Sequence, residues 1–133
     1  ETVAGATYDP MRDEMFLSEK GQGATLDGRP IAVSNKERLI DSLLTTGFGY
    51  ERLFKTNDNH AEYCRLNLVT RGVRRLGSAG LDLAYVAAGR FDGFWEYELN
   101  PWDQAAGQLL VREAGGLVTK MDGSLADVDS QSI

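Results

Sequence analysis

Residues 78–121 read SAGLDLAYVAAGRFDGFWEYELNPWDQAAGQLLVREAGGLVTKM, and the alternation of two periods in this stretch decides the architecture. From Ser78 to Ala88, Leu81, Ala84, Tyr85 and Ala88 fall on one stripe at helical spacing, Leu83, Val86 and Ala87 cover much of the rest, and Gly89 closes the helix. A helix that apolar is usually buried on two sides. Residues 91–97 then switch to a period of two, with Phe91, Gly93, Trp95 and Tyr97 against Asp92, Phe94 and Glu96, as expected of a strand. Asn100-Pro101-Trp102-Asp103 opens another helix through Ala114, whose polar side is only the narrow Gln104, Gln108, Arg112 stripe. Gly115-Gly116 ends it before a strand over 117–121. Two mostly covered helices alternating with strands imply helices sandwiched between sheets, a layered α/β arrangement.

Toward the N-terminus the same rules give shorter elements. Residues 2–8 (TVAGATY) and 13–18 (DEMFLS) read as a hairpin joined by Asp9-Pro10-Met11-Arg12, where proline presets φ. Loop residues surround a short Ala24-Thr25 piece, and a further strand is expected over 31–33. Ser34 with Glu37 three residues later signals a single helical turn, leading to a strand over 41–46 that stops at Gly47. In residues 58–71 (DNHAEYCRLNLVTR), Ala61, Cys64 and Leu68 recur at helical spacing, so that face is expected to pack; Gly72 ends the helix and a strand follows over 73–76.

The chain has 133 residues, 42% of them apolar and 26% charged, which suits one domain or a large piece of a bigger one and lies well outside the disordered range. A formal charge of −6 is the wrong sign for binding along a nucleic acid backbone or on anionic lipid. Neither a nucleic acid nor a membrane is therefore an expected partner. No window approaches about 18 uninterrupted apolar residues. Cys64 is the lone cysteine, which excludes an intrachain disulfide and a Cys-type zinc site and fits a reducing, cytoplasmic setting. There is no initiator Met, and both ends read as cut.

Two segments could carry chemistry. Asp103 sits where a helix begins, so its carboxylate lies against the positive end of the helix dipole and is expected to stay ionised and able to hold a divalent metal. Seven residues earlier Glu96 lies near a strand end, and a strand-loop-helix passage can bring both side chains to one rim. On spacing alone, an Asp at a helix start is most often a cap and a Glu at a strand end most often solvated. The second segment is the turn Leu76-Gly77-Ser78-Ala79-Gly80, whose free N–H groups could take an anion or a hydroxyl-rich ligand. Tight packing of small residues explains it equally well. Other readings fail sooner. His60 and Cys64 supply only two ligands, a single His with no Gly-x-Ser-x-Gly elbow argues against a Ser-His-Asp mechanism, and Gly21-Gln22-Gly23 lacks the third glycine of a dinucleotide loop. The carboxylates of Asp9, Asp13, Glu14 and Glu19 read as hairpin-edge charges.

Trp102-Asp103-Gln104-Ala105-Ala106-Gly107 followed by Leu110-Val111-Arg112-Glu113-Ala114-Gly115-Gly116 closely resembles the second signature of the inositol monophosphatase family, the lithium-sensitive, magnesium-dependent sugar phosphatases. The likeness continues through Arg75-Leu76-Gly77-Ser78-Ala79-Gly80 and Gly89-Arg90-Phe91-Asp92-Gly93, and back to Tyr8-Asp9-Pro10 and Asp27-Gly28-Arg29-Pro30-Ile31. The resemblance implies an α/β (α+β) layered sandwich of α-β-α-β-α type, with residues 1–34 as the last strands of an N-terminal subdomain and 35–133 as most of a C-terminal one. It implies Asp103 as a metal ligand, Glu96 as the group that hydrogen-bonds a substrate hydroxyl, and Gly77, Ser78 and Ala79 as lining of the sugar pocket. The implied cofactor is Mg²⁺, the substrate inositol monophosphate or a similar sugar or polyol phosphate, and the assembly a homodimer. The family's Asp-Pro-(Ile/Leu)-Asp-Gly-Thr motif, with its two further aspartates, is missing; Asp9-Pro10-Met11-Arg12-Asp13 is not that motif. The chain is thus expected to be a portion of an enzyme, inactive alone. Related phosphatases acting on fructose 1,6-bisphosphate, histidinol phosphate or a 3′-phosphoadenosine nucleotide are the alternatives, as is a non-catalytic interaction module.

Overall fold

Asp9 turns the chain at its first corner: its carboxylate accepts from the backbone N–H groups of Met11 (3.0 Å) and Arg12 (3.3 Å), which folds β1 (Ala4–Asp9) back onto β2 (Glu14–Glu19) with Thr7 opposite Phe16. The computed structural model describes residues 1–49 and 58–133. β3 (Gly23–Leu26) and β4 (Arg29–Pro30) complete a four-stranded antiparallel sheet in sequence order. Phe16 and Ser18 point inward, whereas Met15 and Leu17 point outward, the period-two alternation expected of the hairpin. The strand expected over 31–33 does not form. The Ile31 N–H still reaches Ala24 O, but the Val33 N–H goes to Ala114 O instead, satisfying a carbonyl at the end of a helix.

The second half is a parallel sheet. β5 (Leu43–Thr46) lies between β6 (Gly72–Arg74) and β7 (Gly93–Trp95), with Thr45 opposite Arg74 and Thr46 opposite Trp95. α1 (His60–Val69) connects β5 to β6, and α2 (Ala79–Ala87) returns the chain across β5 to β7. The expected turn at Ser34 is displaced to Leu39–Asp41, because Ser34 and Lys36 face Asp92, whose other oxygen receives the Leu43 N–H at 2.6 Å. That turn also takes Asp41 out of the strand expected over 41–46. The strand over 91–97 shortens to three residues because Asp92 is engaged in this cap, and Tyr97 makes only an isolated bridge to Ser132. The strand over 117–121 reduces to one bridge, Thr119 to Leu125, around the Asp122-Gly123 turn.

α2 and α3 (Pro101–Glu113) pack on each other and lie between the two sheets, α3 against β1 to β3 and α2 against β1, β5 and β7. This is the layered α/β sandwich expected. Phe16 and Ala24 of the antiparallel sheet share one core with Leu83 to Ala87, Leu110, Val111 and Ala114, and Leu43 and Phe94 pack on it from the parallel sheet. Leu44, Val73 and Trp95 point to the opposite face, where Tyr63 and Leu66 of α1 cover them. The face of α1 expected to pack is therefore the wrong one: Leu68 is 81% exposed and Cys64 is exposed. Asn59, Tyr63, Leu66 and Thr70 also recur at helical spacing, and their polar members are buried because they bond backbone and side chains rather than water. The Gln104, Gln108, Arg112 stripe is used in the same way. Gln104 donates to Ser130 O, Gln108 to Asp127 O (2.9 Å) and Arg112 to Ala126 O (2.6 Å), so the polar edge of α3 holds the last loop. Among the described residues no helix is long and apolar enough to cross a membrane.

Candidate active site

The carboxyl ends of β5 and β7 meet the N-termini of α2 and α3 in a cleft of about 810 Å³. The parallel order β6-β5-β7 makes the end of β5 the point where connections leave to opposite sides, the place where open α/β sheets bind ligands. All five residues singled out in the sequence line this cleft: Gly77, Ser78, Ala79, Glu96 and Asp103. Gly47, Phe48, Gly49, Arg75, Asp82 and Asn100 share it.

Asp103 is the third residue of α3, behind the cap residue Asn100 and Pro101. It is not itself the N-cap. Its Oδ2 accepts the Asn100 N–H at 2.9 Å, the reciprocal half of a capping box. That bond fixes the carboxylate at the helix end and leaves Oδ1 with no hydrogen bond among the described residues. Capping and metal ligation are compatible, since each uses one oxygen. Ser78 caps α2, accepting the Leu81 N–H at 3.5 Å, and Gly77 has φ +92°, a left-handed conformation that only glycine adopts without strain. The turn therefore brings the chain to the cleft with no side chain at Gly77 and with the Ser78 hydroxyl engaged by the helix start.

Glu96 projects on the same side of the sheet as Phe94, toward α2, and its carboxyl is pushed up to about 7. Burial is the largest cause, followed by the carboxylates of Asp82 and Asp103, while Arg75 pulls the other way. Asp82, 1% exposed and hydrogen-bonded by the Thr45 hydroxyl, is pushed up to about 6, again chiefly by burial. Sequence reading missed Asp82, which there looks like one polar position on an apolar helix. It also missed Gly47, whose relation to Glu96 exists only once β5 and β7 pair. Asp9 is not an edge charge either: it is 2% exposed and bonded by Tyr85 and Arg12, away from the cleft. Among the described residues no group of three His, Cys, Asp or Glu side chains could hold a metal by itself.

The model of the inositol monophosphatase family matches residues 1–133. An inositol-1-monophosphatase of Synechocystis sp. is 50% identical over 131 residues, covering 98% of this chain and 46% of that protein. The Nus factor SuhB of Escherichia coli (strain K12) is 48% identical over 128 residues, covering 92% of this chain and 46% of that protein. Among solved structures, an inositol monophosphatase from Anabaena (Nostoc) sp. PCC 7120 superposes with a TM-score of 0.95 at 48% identity, over 98% of this chain and 52% of that one. The chain spans about half the length of the curated relatives it matches.

Proposed function

We propose a function from one premise: this chain belongs to the inositol monophosphatase family. Within the intact protein, these residues form the polyol side of a Mg²⁺-dependent phosphomonoesterase acting on inositol monophosphate or a similar sugar or polyol phosphate. The observation that carries this reading is the convergence, in one cleft, of a capped carboxylate with an unused oxygen, a partly buried glutamate and a small-residue turn.

Each residue has a physical task in this reading. The unused oxygen of Asp103 is a hard, anionic donor of the kind Mg²⁺ takes, and Mg²⁺ binds through one or two carboxylates plus water and substrate phosphate rather than a complete protein cage. A single carboxylate here therefore fits the ion, with further ligands supplied by the rest of the protein. When bound, Mg²⁺ supplies Lewis acidity and charge neutralisation for hydrolysis of a phosphate ester. Glu96 accepts a hydrogen bond from a substrate hydroxyl, and the turn at Gly77, Ser78 and Ala79 lets the ring approach the backbone closely. Arg75, which pulls against the raised carboxyls, keeps negative charge tolerable at this rim.

The test is Mg²⁺-dependent phosphate release by the full-length protein from inositol 1-phosphate, fructose 1,6-bisphosphate, histidinol phosphate and a 3′-phosphoadenosine nucleotide. A preference for the polyol monoester is expected, and Asp103→Asn should lose most of the activity. Wild-type turnover in Asp103→Asn would remove Asp103 from the metal site, and preference for another ester would move the substrate assignment. Relatives carrying the name Nus factor SuhB favour a second reading, an interaction module, in which the same architecture serves a macromolecular partner. The absence of phosphatase activity in the intact protein would favour it.

A further inference from the structure

Glu96 rests on a glycine. Because β5 and β7 run parallel with Thr46 opposite Trp95, the next residue on each, Gly47 and Glu96, come side by side at the carboxyl edge of the sheet. A side chain on Gly47 would point to the same face as Thr45, the α2 face, which is where the Glu96 carboxylate lies. A Cβ built there would overlap the carboxyl carbon and both oxygens of Glu96. Gly47 does not have positive φ, so the backbone itself does not demand glycine. What demands it is the space.

The backbone under that carboxylate is held. Asn59 donates from Nδ2 to Gly47 O at 2.7 Å and to Thr46 Oγ1 at 2.8 Å, and its Oδ1 accepts the Trp95 indole N–H at 2.5 Å. Thr46 Oγ1 in turn donates to Trp95 O at 2.5 Å. Asn59 is 1% exposed and sits at φ +69°, so this clamp is built into the start of α1. An added methyl group at 47 thus meets a fixed backbone on one side and the end of a flexible side chain on the other. The carboxylate must give way.

We infer that Gly47 is a positioning residue: its missing side chain is the seat that sets where Glu96 offers its oxygens to a substrate hydroxyl, and so sets discrimination for polyol esters. The inference rests on the reading of Glu96 as the hydroxyl contact. It is tested in the full-length protein with inositol 1-phosphate and with p-nitrophenyl phosphate, whose leaving group has no hydroxyl to offer. Gly47→Ala should raise KM for the polyol ester relative to the aryl ester by about tenfold, the scale of a lost hydrogen bond to a charged group. Glu96→Gln should shift the same ratio, and the double variant should add nothing further. An unchanged ratio in Gly47→Ala, or additive losses in the double variant, overturns the inference. If the wild-type protein cleaves neither ester, the functional reading fails separately, and a crystal structure of Gly47→Ala decides the seat: a displaced Glu96 carboxylate supports it and an unmoved one overturns it. If Gly47→Ala does not fold, Gly47→Ala combined with Glu96→Asp, whose shorter carboxylate clears the methyl, should fold; failure of that pair also overturns it.

Discussion

Glu96 and Asp82 are two carboxyl groups in one corner of the cleft, each raised mainly by burial, with the Asp82 charge raising Glu96 further. A raised value in the folded protein means that ionisation costs stability. The contribution of Glu96 is complete below the unfolded value of about 4.5 and is lost as pH rises through about 7. In metal-free full-length protein, stability should therefore fall between pH 5 and pH 7.5, and Glu96→Gln should remove part of that slope. At about 1.4 kcal/mol per pKa unit, discounted for solvent at the cleft rim, the gain at pH 7.5 is on the order of 2 kcal/mol. Thermal melts across this range check it, with a residual slope from Asp82; parallel pH profiles for wild type and variant would refute it. None of this coupling was legible in the sequence. Asp103 and the Gly77-Ser78-Ala79 turn could be found because they sit at helix starts with local signals, whereas Gly47 and Glu96 are partners only through strand pairing across 49 positions. Asp103 also shows the limit of spacing alone: capping and an unbonded oxygen are not alternatives, because Oδ2 takes the Asn100 N–H while Oδ1 has no hydrogen bond among the described residues.

At the scale of elements, the two central helices approach each other through Gly107. A Cβ there would come within 2.5 Å of Leu83 Cβ and 2.6 Å of its Cδ1. Gly107→Ala would gain about 1 kcal/mol of helix propensity but incur an overpacking cost of about 1–3 kcal/mol against a backbone-proximal atom that cannot swing away. A net loss of up to about 2 kcal/mol is expected in urea melts of the full-length protein, partly recovered by adding Leu83→Ala. A more stable Gly107→Ala would mean that α2 and α3 can slide apart. The helices themselves were readable because their apolar residues run nearly all round, which leaves burial between layers as the only consistent solution. α1 was not readable in the same way. Its apolar residues are spread thinly around the helix, and Tyr63 and Leu66 pack because Leu44, Val73 and Trp95 lie beneath them, information that resides in other strands. The short strands over 91–97 and 117–121 were overread for a related reason: Asp92 and the Asp122-Gly123 turn commit backbone groups that pairing would need.

On the scale of the whole molecule, the proposed hydrolysis makes a demand on charge that can be set against what the described residues bring together. Unassisted hydrolysis of phosphate monoesters is among the slowest reactions that enzymes accelerate, so the site must concentrate charge on both sides of the transferred phosphoryl group. Within the cleft, Asp103 alone among the proposed site residues combines a held carboxylate with an unbonded oxygen, whereas Asp82 is buried and engaged by the Thr45 hydroxyl and Glu96, raised to about 7, is only partly ionised near neutral pH. The described residues bring together no group of three metal-binding side chains, and the chain covers about half of each curated relative. Residues 1–133 on their own should consequently release no phosphate from inositol 1-phosphate above the buffer rate at any Mg²⁺ concentration, even when circular dichroism shows them folded. The informative control is the same chain carrying Asp103→Asn. Mg²⁺-dependent release by the native chain that disappears in this control would mean that 133 residues assemble a complete centre, whereas equal, background rates from both place the remaining oxygen ligands elsewhere in the intact protein.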